Sequence, residues 1–220
     1  MNRTFPRFTN ALARASILGF VLLVAVSAWI AYEFIRSPYI SEVGIARAQP
    51  VAFSHQHHVG QLGIDCRYCH TSVETSDFAG LPPTETCMHC HSQIWANSQM
   101  LEPVRASWRD DQPIEWTRIH NLPQYAYFNH SIHINKGVGC ATCHGRIDKM
   151  PLTYQANTLY MQWCLECHRN PEKHLRPQAE IYNMAWQPAE AEQPALGHKL
   201  VKQYNIKSAY SLTRCTVCHY

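Results

Sequence analysis

A mostly helical and coil fold with little or no sheet, headed by one N-terminal transmembrane helix, is what the sequence predicts. Three observations carry that expectation. An uncharged apolar run, Ala15 to Tyr32 (ASILGFVLLVAVSAWIAY), stands near the start of the 220-residue chain. All 10 cysteines sit in C-x-x-C-H units. Elsewhere neither helical nor strand periodicity is strong, so the helices should be short and joined by proline-punctuated loops such as Gly80-Leu-Pro-Pro83 and Asn121-Leu-Pro123.

The apolar run is 18 residues, enough to cross a bilayer with little margin. Arg3, Arg7 and Arg14 precede it, which keeps the short N-terminus in the cytoplasm and exports the rest. A cleaved signal peptide is the competing reading, since Ala25-Val-Ser27 and Ala46-Arg-Ala48 loosely resemble cleavage sites. The run exceeds a usual signal core, however; the first site lies inside it and the second far beyond it. The expected organisation is therefore a cytoplasmic N-terminus (1–14), an anchor in the bacterial inner membrane (15–35), a connector (36–50) and a periplasmic region (51–220). Within that last region the segments are 51–119, 120–170 and 171–220.

The cysteine units are Cys66/Cys69/His70, Cys87/Cys90/His91, Cys140/Cys143/His144, Cys164/Cys167/His168 and Cys215/Cys218/His219. Two thiols at this spacing add to the two vinyl groups of one haem, and the imidazole of the next residue binds its iron. Zinc knuckles also use C-x-x-C, but they pair two such units and need no histidine directly after the second cysteine. Five units, each carrying that histidine, point instead to five haems c. Only about 170 residues serve them, so the porphyrins themselves must supply much of the buried apolar surface. The formal net charge of +3 gives no footing for a nucleic-acid role. The propionates of five haems add about ten negative charges and bring the holoprotein to roughly −7.

The chain repeats itself. Phe53-Ser-His-Gln-His-His58, followed by Cys66 and Cys87, aligns with Phe128-Asn-His-Ser-Ile-His133, followed by Cys140 and Cys164, at offsets of 75, 74 and 77. Two dihaem modules are expected, with the fifth motif outside the duplication. Proximal ligation falls to His70, His91, His144, His168 and His219. Of the nine other histidines, His89 lies inside its own C-x-x-C loop, where backbone geometry disfavours ligation.

The F-x-H-x-x-H opening resembles that of the cytochrome c3 and c7 families. That resemblance implies His55 as distal ligand of the Cys66 haem and His130 of the Cys140 haem, with His58 and His133 reaching neighbouring haems and tying modules together. His120, in Arg118-Ile-His-Asn-Leu-Pro123, is our expectation for the fifth distal ligand. Methionine is its rival at one site, where Met150, Met161 and Met100 come into question. His57, His174 and His198 are left without a role.

Over most of its length the chain resembles the pentahaem cytochrome c subunit of bacterial alternative complex III, a quinol:electron-acceptor oxidoreductase. The stretches that carry the likeness are Phe53-Ser-His-Gln-His-His-Val59, Pro82-Pro-Thr-Glu-Thr-Cys-Met-His-Cys-His91, Asn129-His-Ser-Ile-His-Ile-Asn-Lys-Gly-Val-Gly-Cys140 and Trp163-Cys-Leu-Glu-Cys-His-Arg-Asn-Pro171. The resemblance implies an iron–sulfur subunit, membrane subunits holding the quinol site, and a cytochrome c or terminal oxidase as acceptor. On this reading the chain is an electron-transfer subunit with no catalytic residues of its own. A self-contained membrane-anchored quinol dehydrogenase is the alternative, although Cys66 lies more than 30 residues beyond Tyr32.

Overall fold

The computed structural model describes Pro6 and residues 8–219, which fall into two units that divide after Glu42. Arg3 and Arg7 of the N-terminal charge cluster lie outside the described residues. In the first unit, α1 (Thr9–Arg36) is 28 residues long. At 1.5 Å per residue that is about 42 Å, more than the roughly 30 Å of a hydrocarbon core. None of its side chains is buried, and it is long and apolar enough to cross a membrane. It begins before the expected anchor boundary at 15 because Ala11 to Arg14 are strong helix formers that extend the apolar run. It ends at extended Ser37, and Pro38 opens the short α2 (Pro38–Ser41). Glu42, at φ 54°, closes that unit.

Val43 onward forms the second unit, so the expected connector boundary at 50 moves back. Isolated bridges Val43 to Gln155 and Ala46 to Tyr154 tie residues 43–46 into this unit. With Val138 to Leu175, these are the isolated bridges among the described residues, which contain no sheet. The helices are short: α3 (Cys66–Cys69), α4 (Thr84–His91), α5 (Glu102–Asp110), α6 (His130–Asn135), α7 (Cys140–His144), α8 (Met161–Arg169), α9 (Gln193–Gln203) and α10 (Ala209–Leu212). A π-helical turn, Gln56–Gln61, follows His55. Four of the C-x-x-C units lie on α3, α4, α7 and α8, and the fifth starts on a 3-10 turn, Cys215–Val217. Side-chain caps start some of these pieces where propensity would not: Asp65 accepts from Arg67 N at 2.8 Å and Asn129 from Ile132 N at 3.0 Å.

The apolar core is thin. Val51, Leu101 and Val104 form one buried cluster, against which Cys87 and Met88 pack. Val73, Ile134 and Ile181 form a second, against which Cys140 packs. Clusters of three buried side chains are too small to organise a unit of this length, and both are built around haem-motif cysteines.

What organises the unit is the clasp between its two repeats. Gln56 N donates to Met150 O at 3.0 Å, and Ser131 N, the equivalent position, donates to Ser76 O at 3.0 Å. His55 Nδ1 lies 3.0 Å from Thr153 Oγ1, and His130 Nδ1 lies 2.8 Å from Asp77 O. Each repeat's opening turn is therefore fastened to the loop that follows the other repeat's first C-x-x-C-H. Gly60 allows the first of these contacts, because a Cβ there would overlap the Asp148 carbonyl.

Candidate functional site: paired imidazoles at the C-x-x-C-H units

The two F-x-H-x-x-H segments place their rings alike. Phe53 meets His55 edge-on at 4.9 Å and stacks on His58 at 4.4 Å. Phe128 meets His130 edge-on at 4.8 Å and stacks on His133 at 4.3 Å. The phenylalanine is thus the spacer that holds two imidazoles in different directions from a single turn of backbone.

Each of those four imidazoles faces a motif histidine. His55 and His70 are 6.4 Å apart with ring planes within 7°. His130 and His144 are 6.5 Å apart, within 11°. His133 and His168 are 6.2 Å apart at 28°, and His58 and His91 are 6.1 Å apart at 70°. Two imidazoles bound to one iron, each nitrogen about 2 Å from the metal, put their ring centroids a little over 6 Å apart. The residues fit the bis-histidine ligation that the sequence motifs imply.

The remaining nitrogen of each ring is also provided for. Nδ1 of His70, His91, His130, His133, His168, His219 and His58 lies 2.7–3.0 Å from a main-chain carbonyl: Gly80, Ile94, Asp77, Asn129, Leu212, Tyr125 and Ser54 respectively. A carbonyl only accepts, so Nδ1 carries the proton and Nε2 keeps its lone pair for a metal. Burial, and secondarily His70, hold the His55 pKa down to about 4. Burial and then His120 hold His144 down to about 3. Both rings stay neutral, the state in which imidazole ligates.

The thiols point the same way. Burial pushes Cys140 up to about 11, Cys143 to about 12 and Cys167 to about 11. These thiols are neutral and half-buried or more, set at the spacing that meets the two vinyl groups of one haem. Electrostatic neighbours link the units in space: Cys69 with Cys87, Cys66 with Cys140, Cys143 with Cys164 and Cys167, and Cys164 with Cys218. Direct bonds accompany the last of these steps. His168 Nδ1 donates to Leu212 O, and Tyr127 N donates to Cys218 O at 3.1 Å.

Three sequence expectations change. His58 and His133 face the second motif of their own modules rather than crossing between modules, each ring held in that direction by its stack on Phe53 or Phe128. His120 is not placed opposite His219; its Nε2 lies 3.2 Å from His144 Nδ1, in a T-shaped contact at 4.3 Å. Met150 is 2% exposed and sealed in the core beside Gly145, with no open side for a porphyrin. Met161 and Met100 are exposed, and Met161 opens α8, the helix bonded to the segment before Cys215. The ring facing His219 is Tyr125 at 5.8 Å, and among the described residues no imidazole pairs with it.

The two thiols of the second motif differ in exposure. Cys87 is half-buried against the Val51, Leu101 and Val104 cluster, whereas Cys90 is exposed. The reason is the size of that cluster. Three side chains cover α4 at Cys87 and Met88 and do not reach its last turn, where Cys90 sits. Cys90 is thus an attachment point at the surface rather than one enclosed by protein, and Cys215 shares that exposure.

The unassigned histidines have ordinary surroundings. His57 bonds Gln61 Oε1 at 2.9 Å and stacks on Trp95, while His89 Nδ1 lies 3.0 Å from Tyr68 Oη. His198 is exposed on α9, and burial lowers the pKa of His174. What sequence reasoning missed was the set of carbonyl acceptors, which come from loops without a sequence signature.

Asp65 positions the first motif by capping α3, and its bond to Arg67 holds its carboxyl below the usual carboxylate range. Asp65→Ala should cost about 1 kcal/mol at neutral pH, the ordinary worth of a cap. The folded pKa is depressed, so this contribution is full above the unfolded value of about 3.9 and is lost as pH falls through the lower folded value. Thermal melts of the two holoproteins should differ equally at neutral and mildly acidic pH and converge under strong acid. A gap that persists under strong acid would refute the cap.

Comparison with known proteins agrees with this geometry. The model of the class III cytochrome c family matches residues 107–219, which contain three of the five motifs. The chain is also similar to the multihaem cytochrome c subunit of a menaquinone reductase from Nitratidesulfovibrio vulgaris. The two are 30% identical over 150 aligned residues, covering 59% of this chain and 71% of that protein. The first two motifs lie outside the family match, yet their ring-centroid distances repeat those of the second module to within a few tenths of an ångström. The chain belongs to the class III cytochrome c family.

Proposed function

We propose that this chain is the electron-transfer subunit of a membrane quinol:acceptor oxidoreductase, holding five haems c and anchored to the inner membrane by α1 with its haem unit on the periplasmic side. The observation that carries the reading is the set of four imidazole pairs at 6.1–6.5 Å. An iron held between such a pair of rings would have a ligand from each and no place for a substrate, which favours a carrier over a reductase or a sensor. When bound, haem c supplies reversible one-electron exchange between ferric and ferrous iron.

The chain's own residues do the rest. The cysteines fix each group at two points, the paired imidazoles hold it between them, and the carbonyl acceptors keep the Nδ1–H groups they receive in place. Haem would be held by His70 with His55, His91 with His58, His144 with His130, and His168 with His133, and His219 would serve as the fifth proximal ligand. The neighbour relations among the cysteines order the sites in a row that differs from chain order: Cys87, Cys66, Cys140, Cys164, Cys215. The repeats' clasp sits at the middle of this row, and the fifth motif extends one end. The two exposed thiols, Cys90 and Cys215, belong to its two end sites, where electrons would enter and leave.

The relative named above is a menaquinone reductase subunit. This favours a quinone-reactive complex as the setting and offers a second reading, in which electrons run toward the quinone pool. Extraction from native membranes in mild detergent tests both. Co-purification with iron–sulfur and polytopic membrane subunits, and haem reduction on adding a quinol, are expected. Recovery of the chain alone with full quinol oxidation would overturn the subunit reading. Reduction by a periplasmic donor, but never by quinol, would reverse the direction.

A further inference from the structure

His144 differs from the other motif histidines in what receives its Nδ1–H. Those of His70, His91, His168 and His219 meet main-chain carbonyls, whereas His144 Nδ1 meets His120 Nε2 at 3.2 Å. The contact is T-shaped, with ring centroids 4.3 Å apart and ring planes at 77°. If Nε2 of His144 is given to iron, its Nδ1 must carry the proton, and His120 Nε2 is then the acceptor. An imidazole nitrogen is a more basic acceptor than a peptide oxygen. His120 is held in place from its own backbone, where Arg118 Nε donates to its carbonyl at 3.1 Å.

We propose that His120 is a positioning residue for the axial ligand His144, accepting its Nδ1–H and so holding the potential of the iron bound there below that of its bis-histidine neighbours. The proposal rests on the axial ligation assigned above. A stronger acceptor gives the ligating imidazole more imidazolate character, which favours ferric over ferrous iron. The affected site is the middle of the five-site row, where a lowered potential acts as a step between the two halves.

The test compares wild type with His120→Leu and His120→Asn as full-length holoproteins in the native membrane complex, by redox titration followed optically and by electron paramagnetic resonance. With His120→Leu the haem content and the low-spin signals should be unchanged, and one of the potentials should rise. A hydrogen bond to a group that gains charge is worth about a tenfold change in the ferric/ferrous equilibrium, or about 59 mV for one electron. His120→Asn, which restores an acceptor oxygen, should recover part of the shift and remains informative if the leucine variant fails to fold. Unchanged potentials with intact low-spin signals would overturn the proposal and leave the axial ligation standing. A new high-spin haem in both variants would overturn it differently, by showing that His120 is itself an axial ligand.

Discussion

In the proposed five-haem chain, His130→Ala should open one haem to external ligands. The substitution removes the ring that faces His144 at 6.5 Å, so the iron at the Cys140 site loses its sixth ligand and turns from low-spin to high-spin. One fifth of the haem should then bind carbon monoxide, read from the optical difference spectrum, whereas His198→Ala, a change on the exposed face of α9, should leave all sites closed. His133→Ala should act in the same way at the Cys164 site. The pairing within modules is tested by combining His133→Ala with alanine at Cys164 and Cys167. If His133 serves the haem of its own module, the combined variant has no opened haem, because the site that would open is gone. An opened haem in that background would restore the cross-module pairing.

Alanine at both Cys140 and Cys143 should have the larger functional effect, since these residues hold the middle of the proposed row. Haem content should fall from five per chain to four, and rapid mixing with reductant at one end should reduce two of the four quickly while two lag. Electron tunnelling weakens exponentially with distance, so removing the central site leaves two separated pairs. The paired change at Cys215 and Cys218 removes a terminal site instead and should leave the remaining four in communication. Four haems reduced at the wild-type rate in the central variant would refute the order Cys87, Cys66, Cys140, Cys164, Cys215. Some loss of stability is also expected in the central variant, because Cys140 packs against Val73, Ile134 and Ile181.

Sequence alone determined what is chemically local. Ten cysteines in C-x-x-C-H units point to covalent haem attachment and nominate the motif histidines as proximal ligands, because adjacent residues would meet the same porphyrin whatever the rest of the chain does. The apolar run declares a helix able to cross a membrane through length and composition. The duplicated F-x-H-x-x-H declares two like segments, and its short spacing carries the four imidazoles that face motif histidines. Partner choice and enclosure were decided only by tertiary structure. Which motif His58 and His133 face, why His120 lies against His144, why Met150 is core and why Cys90 is exposed while Cys87 is covered all depend on segments brought together from afar. The backbone bonds that do this join Gln56 to Met150 and Ser131 to Ser76, far apart in the chain. The physical reason is that haem-motif segments have few apolar contacts of their own, so their relative placement comes from long-range backbone bonds between loops. Those bonds use the main-chain N–H and C=O groups common to nearly every residue, and they leave no mark in the sequence.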